Sequence, residues 1–169
     1  MAITVNTDTY ISLADAELYL AANYITTDAK YVAWLALSDG NKEILLRQAA
    51  KTIDRQPLQG YKYLDTQTME FPRYLYHDSR GEDTLHPLPR TNGWYSDGTT
   101  PEAVKAAQCE IALQMTQGKS ERAELQRQGV KSFSIGGLSE SFTGTQNSIE
   151  SYEARVLLAP YIGGGFRVC

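Results

Sequence analysis

Between positions 77 and 86 the chain carries His77, Asp78, Glu82, Asp83 and His86, residue types that can ligate a metal. A zinc site would need their nitrogen and oxygen atoms to converge at about 2.0–2.2 Å. Their spacing matches no standard ligand motif, so the stretch reads as a polar, solvated loop. Ser79, Ser96, Ser132 and Ser134 offer hydroxyls, but no Gly-x-Ser-x-Gly elbow surrounds them and only two histidines could serve as bases. Gly136-Gly137 and Gly163-Gly164-Gly165 are not followed by Lys and Ser or Thr, so neither forms a phosphate cradle. Glu150 and Glu153 stand one helical turn apart and read as a solvated helix face. No catalytic residue, metal site or cofactor is expected, and the chain is read as a non-enzyme.

The stretch from 56 to 100 holds a second kind of chemistry. Lys62, Arg73, Arg80 and Arg90 interleave with Tyr61, Tyr63, Tyr74, Tyr76 and Trp94. Rings beside cations suit single-stranded nucleic acid, whose bases stack on aromatic faces. The same residue types are enriched where proteins meet proteins. Asp65, Glu70, Asp78, Glu82, Asp83 and Asp97 lie in the same stretch and cancel its positive charge. The balance favours a protein interface. The formal net charge of −4 points the same way, because a dedicated nucleic-acid binder usually has a basic excess.

The elements that position these residues are mostly helical. An apolar share of 42% and a charged share of 21% suit a soluble globular chain of one domain across 1–169. No N-terminal apolar core of a signal peptide and no run of about 18 apolar residues occurs, so neither export nor membrane spanning is expected. Two cysteines are too few for a disulfide framework; Cys109 falls in a predicted helix and reads as a small core residue.

Ser12 and Asp15 form a near capping box opening a helix to Asn23, with Leu13, Ala16 and Leu20 on one face. A short helix is predicted from about 28 to 37, with Val32, Leu35 and Ala36 as its apolar stripe. A third runs from about 41 to 55, where Leu46, Ala49, Ala50 and Ile53 recur at the spacing of a buried face. A fourth begins with Thr100 as N-cap and Pro101 in its first turn, with Val104, Ala107, Ile111 and Met115 facing the core. Val130–Ile135 and Leu138–Phe142 flank Gly136-Gly137 and read as a β-hairpin, with Ile135 opposite Leu138 and Phe133 opposite Glu140. A last helix, 149–159, is capped by Asn147 or Ser148 and faces the core with Ile149, Tyr152 and Val156. Residues 56–100 fit no long periodic element and read as a long ordered loop. The three glycines at 163–165 make a hinge to a tail. The fold class expected is mainly α: an antiparallel helical bundle with one long loop and one β-hairpin.

The order of several short motifs resembles a known family. Leu45-Leu46-Arg47-Gln48-Ala49-Ala50-Lys51-Thr52-Ile53-Asp54 is followed by Phe71-Pro72-Arg73, then Pro101-Glu102-Ala103-Val104-Lys105, then Leu157-Leu158-Ala159-Pro160-Tyr161. Together they resemble the head–tail connector (adaptor) proteins of tailed bacteriophages. That resemblance implies a virion structural protein of the phage neck, assembled in the host cytoplasm. It implies a homo-oligomeric ring, commonly a dodecamer, with the portal protein and a stopper or tail-completion protein as partners. DNA would pass through the ring without specific binding, and no membrane is involved. The alternative is a DnaT-like single-stranded-DNA-binding protein.

Under the connector reading the assembly surfaces fall in the long loop, the hairpin and the tail. The residues expected there are Phe71, Arg73, Tyr74, Tyr76 and Trp94; Phe133, Ile135, Leu138 and Phe142; and Phe166 and Val168. Each segment carries aromatic or apolar groups that a lone subunit has little means of covering.

Overall fold

The computed structural model describes residues 2–77, 93–96, 98–118, 132–135, 138–141 and 149–163. The fold is mainly α. Helices α1 (Leu13–Asn23), α2 (Ala29–Leu35) and α3 (Asp39–Asp54) come first. Strands β1 (Tyr61–Lys62), β2 (Arg73–His77) and β3 (Gly93–Tyr95) follow, then α4 (Glu102–Met115). Strands β4 (Ser132–Ile135) and β5 (Leu138–Ser141) precede α5 (Tyr152–Leu158).

Helix α4 is the axis of the core. Every residue from Ala107 to Leu113 is buried, because α1, α2, α3 and α5 all pack against it. A helix enclosed on all sides can carry polar groups only if each finds a partner. Gln108 meets that condition. Its Oε1 accepts from the Tyr10 backbone N–H at 2.9 Å, and its Nε2 donates to the Leu46 carbonyl at 2.9 Å and to Thr9 Oγ1. One side chain thus pins the N-terminal lead and α3 to α4. Glu110 is also buried and accepts from the hydroxyls of Tyr19, at 3.0 Å, and Tyr24. Burial, with the Glu110 charge and hydrogen bond beside it, pushes both phenols above the usual tyrosine range, so both stay donors. Cys109 is fully buried as expected, and burial pushes its thiol up to about 12.

Helix α1 starts where the capping residues put it. Ser12 Oγ accepts from the Asp15 N–H at 3.1 Å and donates to the Asp15 carboxylate at 2.6 Å. The Asp28 carboxylate caps α2 by accepting from Lys30 and Tyr31 N–H. In α3, Leu46, Ala49, Ala50 and Ile53 are buried, as their spacing predicts. Val104, Ala107 and Ile111 of α4 are buried too, with Met115 packed against the core.

Four expectations need correction. The buried side of α2 is Tyr31 and Trp34, while Val32 and Leu35 are about half exposed; the two large rings bury more apolar area than the aliphatic stripe would. Pro101, not Thr100, is the N-cap of α4: its ψ of 141° is still extended, and its carbonyl accepts from Val104 and Lys105. Helix α5 begins at Tyr152 rather than 149, because Ser151 Oγ accepts from the Ala154 N–H at 3.3 Å and sets the start there. That phase buries Ala154 and Leu158 and leaves Tyr152 and Val156 exposed, while Ile149 enters the core ahead of the helix.

The fourth correction bears on function. The 56–100 stretch, expected to hold no long periodic element and to be a long loop, contains three short strands in an antiparallel sheet of order β1-β2-β3. Its register pairs Tyr61 with Tyr74 and Lys62 with Arg73, then Leu75 with Tyr95, Tyr76 with Trp94 and His77 with Gly93. The hairpin appears in the expected register, Phe133 opposite Glu140 and Ile135 opposite Leu138. Among the described residues no helix is long and apolar enough to cross a membrane.

Candidate functional site

The sheet is fastened to the helical core from beneath. The Tyr10 hydroxyl donates to the Asp54 carboxylate and accepts from the backbone N–H of Glu70 at 3.2 Å and of Phe71 at 3.3 Å. Burial, reinforced by the neighbouring carboxylate, holds the Tyr10 hydroxyl above the usual tyrosine range and so keeps its proton in place. The Asp54 carboxyl is itself pushed up by burial, against the pull of the Tyr10 hydrogen bond. Phe71 sits edge-on between Tyr10, with ring centroids 5.8 Å apart, and Tyr161, at 5.6 Å. At 1% exposure it is a core residue of its own chain, which leaves no ring surface for the subunit contact assigned to it.

Arg73 is a clamp on its own loop. Its Nε donates to the Gln59 carbonyl at 2.8 Å and its Nη2 to the Gly60 carbonyl at 2.7 Å. Nη1 donates to both the backbone carbonyl and the carboxylate of Glu70. With the side chain 7% exposed, the guanidinium is spent on local carbonyls and one local carboxylate. Lys62 completes the group, its ammonium 3.2 Å from the other Glu70 oxygen. The turn between β1 and β2 is closed by Gln67, which accepts from Leu64 N–H and donates to the Met69 and Pro72 carbonyls.

Alternation and register put Lys62, Arg73 and Leu75 on the side toward the core and positions 61 and 74 on the other. Leu75 packs against the core. On the outer side Tyr61 and Tyr74 are stacked, with centroids 4.9 Å apart and planes 27° from parallel. Tyr63 leans on the same Tyr74 ring at 5.4 Å. Tyr61 remains 51% exposed and Tyr63 37%. Positions 76 and 94 are backbone partners in the register of β2 and β3. Gly98, at φ +73°, passes so close to the Tyr63 ring that a Cβ would lie 3.3 Å from it. The described arrangement is a cluster of phenol rings on one face of the sheet, with Lys62, Arg73 and Glu70 paired on the opposite side.

Such a surface stacks planar groups. It places Tyr74, from the expected interface residues, beside Tyr61 and Tyr63, which were read only as part of the aromatic stretch. The clue in the sequence is the repeated Tyr-x-Tyr at 61–63 and 74–76, a period of two. Phe133, Ile135 and Leu138 occupy strand positions in the hairpin, and Phe142, Phe166 and Val168 lie outside the described residues. So does most of the histidine and carboxylate cluster from Asp78 to His86. Among the described residues no group of three potential metal ligands occurs. Glu150 and Glu153 are exposed, but they do not share a helix face, because Glu150 lies ahead of the Ser151 cap of α5.

A family model described as "Putative DnaT-like ssDNA binding protein" matches residues 2–168. The chain belongs to this family. Neither the curated proteins nor the solved structures compared with it gave a match. Membership overturns the head–tail connector reading, and with it the portal-docked ring, the stopper partner and the passage of DNA without specific binding. The motifs that carried the connector resemblance serve the scaffold instead. Phe71 fills the core, Arg73 fastens the loop, and Pro101 caps α4. Residues with those duties report how a chain packs, and not what it binds. The net charge of −4 averages over the whole surface and does not report the chemistry of a local patch.

Proposed function

We propose that the chain binds single-stranded DNA by stacking bases on the tyrosine face of the β1-β2-β3 sheet, with no chemistry performed on the strand. The observation that carries this reading is the exposed Tyr61–Tyr74–Tyr63 cluster, found in a member of a DnaT-like ssDNA-binding family. Every base has a π-face, so rings held on a rigid sheet take bases with little regard for sequence. In a duplex those faces are already stacked on one another, and only the edges show. The surface therefore selects strand state rather than sequence.

The sheet suits the task because its rings are held before the ligand arrives. Arg73, Gln67 and the Tyr10–Asp54 pair fix the backbone beneath the rings, so little ordering cost remains at binding. Fluorescence anisotropy with a labelled oligonucleotide and with its duplex tests the reading. Binding to the single strand should be tighter by at least about tenfold, since stacking contributes roughly 1–3 kcal/mol per base and the duplex offers none of it. Equal or tighter binding to the duplex would contradict it.

A further inference from the structure

Glu70 stands between two cations of the sheet, Lys62 and Arg73, on the side opposite the stacked tyrosines. One carboxylate oxygen lies 3.2 Å from Lys62 Nζ and the other accepts from Arg73 Nη1. A carboxylate bridging a lysine and an arginine occupies the place that a phosphate would take. We infer that Glu70 is a built-in competitor for the nucleic-acid backbone, holding Lys62 away from phosphate and keeping binding at this surface dominated by stacking. The inference rests on the single-strand reading above and adds a regulatory residue to it.

The two cations differ in what they can do. Arg73 is held by the carbonyls of Gln59, Gly60 and Glu70 as well as by the carboxylate, and its side chain is nearly covered. It stays in place whether or not Glu70 is charged. Lys62 has the Glu70 carboxylate as its ion-pair partner, a side chain 31% exposed, and a place on the edge strand β1 between Tyr61 and Tyr63. Its flexible stem can carry the ammonium round the strand edge to a phosphate beside a base stacked on Tyr61. A phosphate competes with Glu70 for the same ammonium, so DNA can take Lys62 only by breaking the internal pair. The net gain is small while Glu70 is charged and larger once that charge is removed. Neutralising Glu70 also leaves the fixed Arg73 charge unbalanced, which raises the local potential toward an anion.

The test uses the full chain and a labelled oligothymidylate, with affinity measured from low to moderate salt. Glu70→Gln keeps the side-chain shape and removes the charge. It should tighten binding roughly fivefold at low salt and steepen the logarithmic salt dependence by about 0.7, the increment for one more neutralised phosphate on a single strand. Lys62→Ala in the natural background should change affinity less than about twofold, and in the Glu70→Gln background should abolish the gain. The Lys62→Ala arm needs no stability from Glu70→Gln and stands if that variant fails to fold. If Lys62→Ala alone weakens binding several-fold and flattens the salt dependence, Lys62 already holds phosphate and the inference is wrong. If folded Glu70→Gln binds no tighter than the natural chain, it is wrong as well. Failure of the natural chain to bind any single strand would sink the inference together with the reading beneath it, an outcome distinct from the other two.

Discussion

Replacing Tyr61 and Tyr74 together by alanine should weaken binding to single-stranded DNA by about 30-fold or more while leaving the fold intact. Base–aromatic stacking contributes roughly 1–3 kcal/mol per base, and two rings at the lower end already amount to about that factor. The fold should survive because the links that hold the sheet do not pass through these rings. Tyr10, Asp54, Gln67 and Arg73 fasten the backbone from the other side, and Leu75 carries the apolar contact with the core. Tyr61 is half exposed, so its loss removes little buried area. The paired replacements Tyr61→Phe and Tyr74→Phe keep the π-faces and should bind within about threefold of the natural chain, because stacking needs the ring and not the hydroxyl. Equilibrium titration of the three chains, with circular dichroism as the control for folding, measures both effects. An alanine double variant that is folded and binds normally would rule out the sheet face as the binding surface.

The second large effect is on stability. Gln108→Leu should destabilise the chain by about 2–4 kcal/mol, although leucine is apolar and the position is fully buried. The replacement removes the acceptor for the Tyr10 N–H and the donor to the Leu46 carbonyl and Thr9 Oγ1. Those groups stay enclosed with no water to replace the amide, and stranding a buried polar group costs roughly 1–3 kcal/mol. In a chain of this size the change should lower the melting temperature by about 5–15 °C. A functional effect should follow from the same loss. Gln108 holds the backbone of Tyr10, whose hydroxyl holds the loop leading into β2. Thermal unfolding of the variant measures the first effect. A variant as stable as the natural chain would mean that the amide network contributes nothing net to the fold.

The helices were legible in the sequence to the extent that their faces are simple. In α3 the aliphatic residues recur at helical spacing and all are buried, since a helix lying on a core shows one stripe. In α2 the stripe Val32 and Leu35, and in α5 the pair Tyr152 and Val156, mark the wrong side. Both helices have seven residues, and two turns are too few for spacing alone to distinguish a face from coincidence. There the choice fell to ring size in α2 and to the Ser151 cap in α5. The hairpin could be read to the residue because a two-residue turn leaves one register.

The site was harder to read for physical reasons. Strands of two, five and three residues carry too little alternation to stand out against the glycines and prolines around them. Pairing between β1 and β2 spans ten intervening residues and depends on Tyr10, Asp54 and Phe71, which lie far apart in the chain. Sequence marks the rings as aromatic but not the side of the sheet that each occupies. Arg73 reads from the sequence equally as an interface contact or as a local salt bridge, and the structure pairs it locally with Glu70. A charged residue after Phe-Pro looks available for a partner, yet the loop folds back and places two carbonyls within its reach.

Stacking on the tyrosine face is decided most directly by where single-stranded DNA touches the protein. An oligonucleotide carrying a photoreactive thymine analogue, crosslinked to the full chain and mapped by mass spectrometry, reads this without any substitution. The crosslinked peptides should contain Tyr61, Tyr63 or Tyr74, and excess unlabelled single strand, but not duplex, should suppress them. Crosslinks confined to the exposed faces of α1, α2 or α3, with the sheet peptides unmodified, would show that the strand is bound elsewhere and would contradict binding on the sheet.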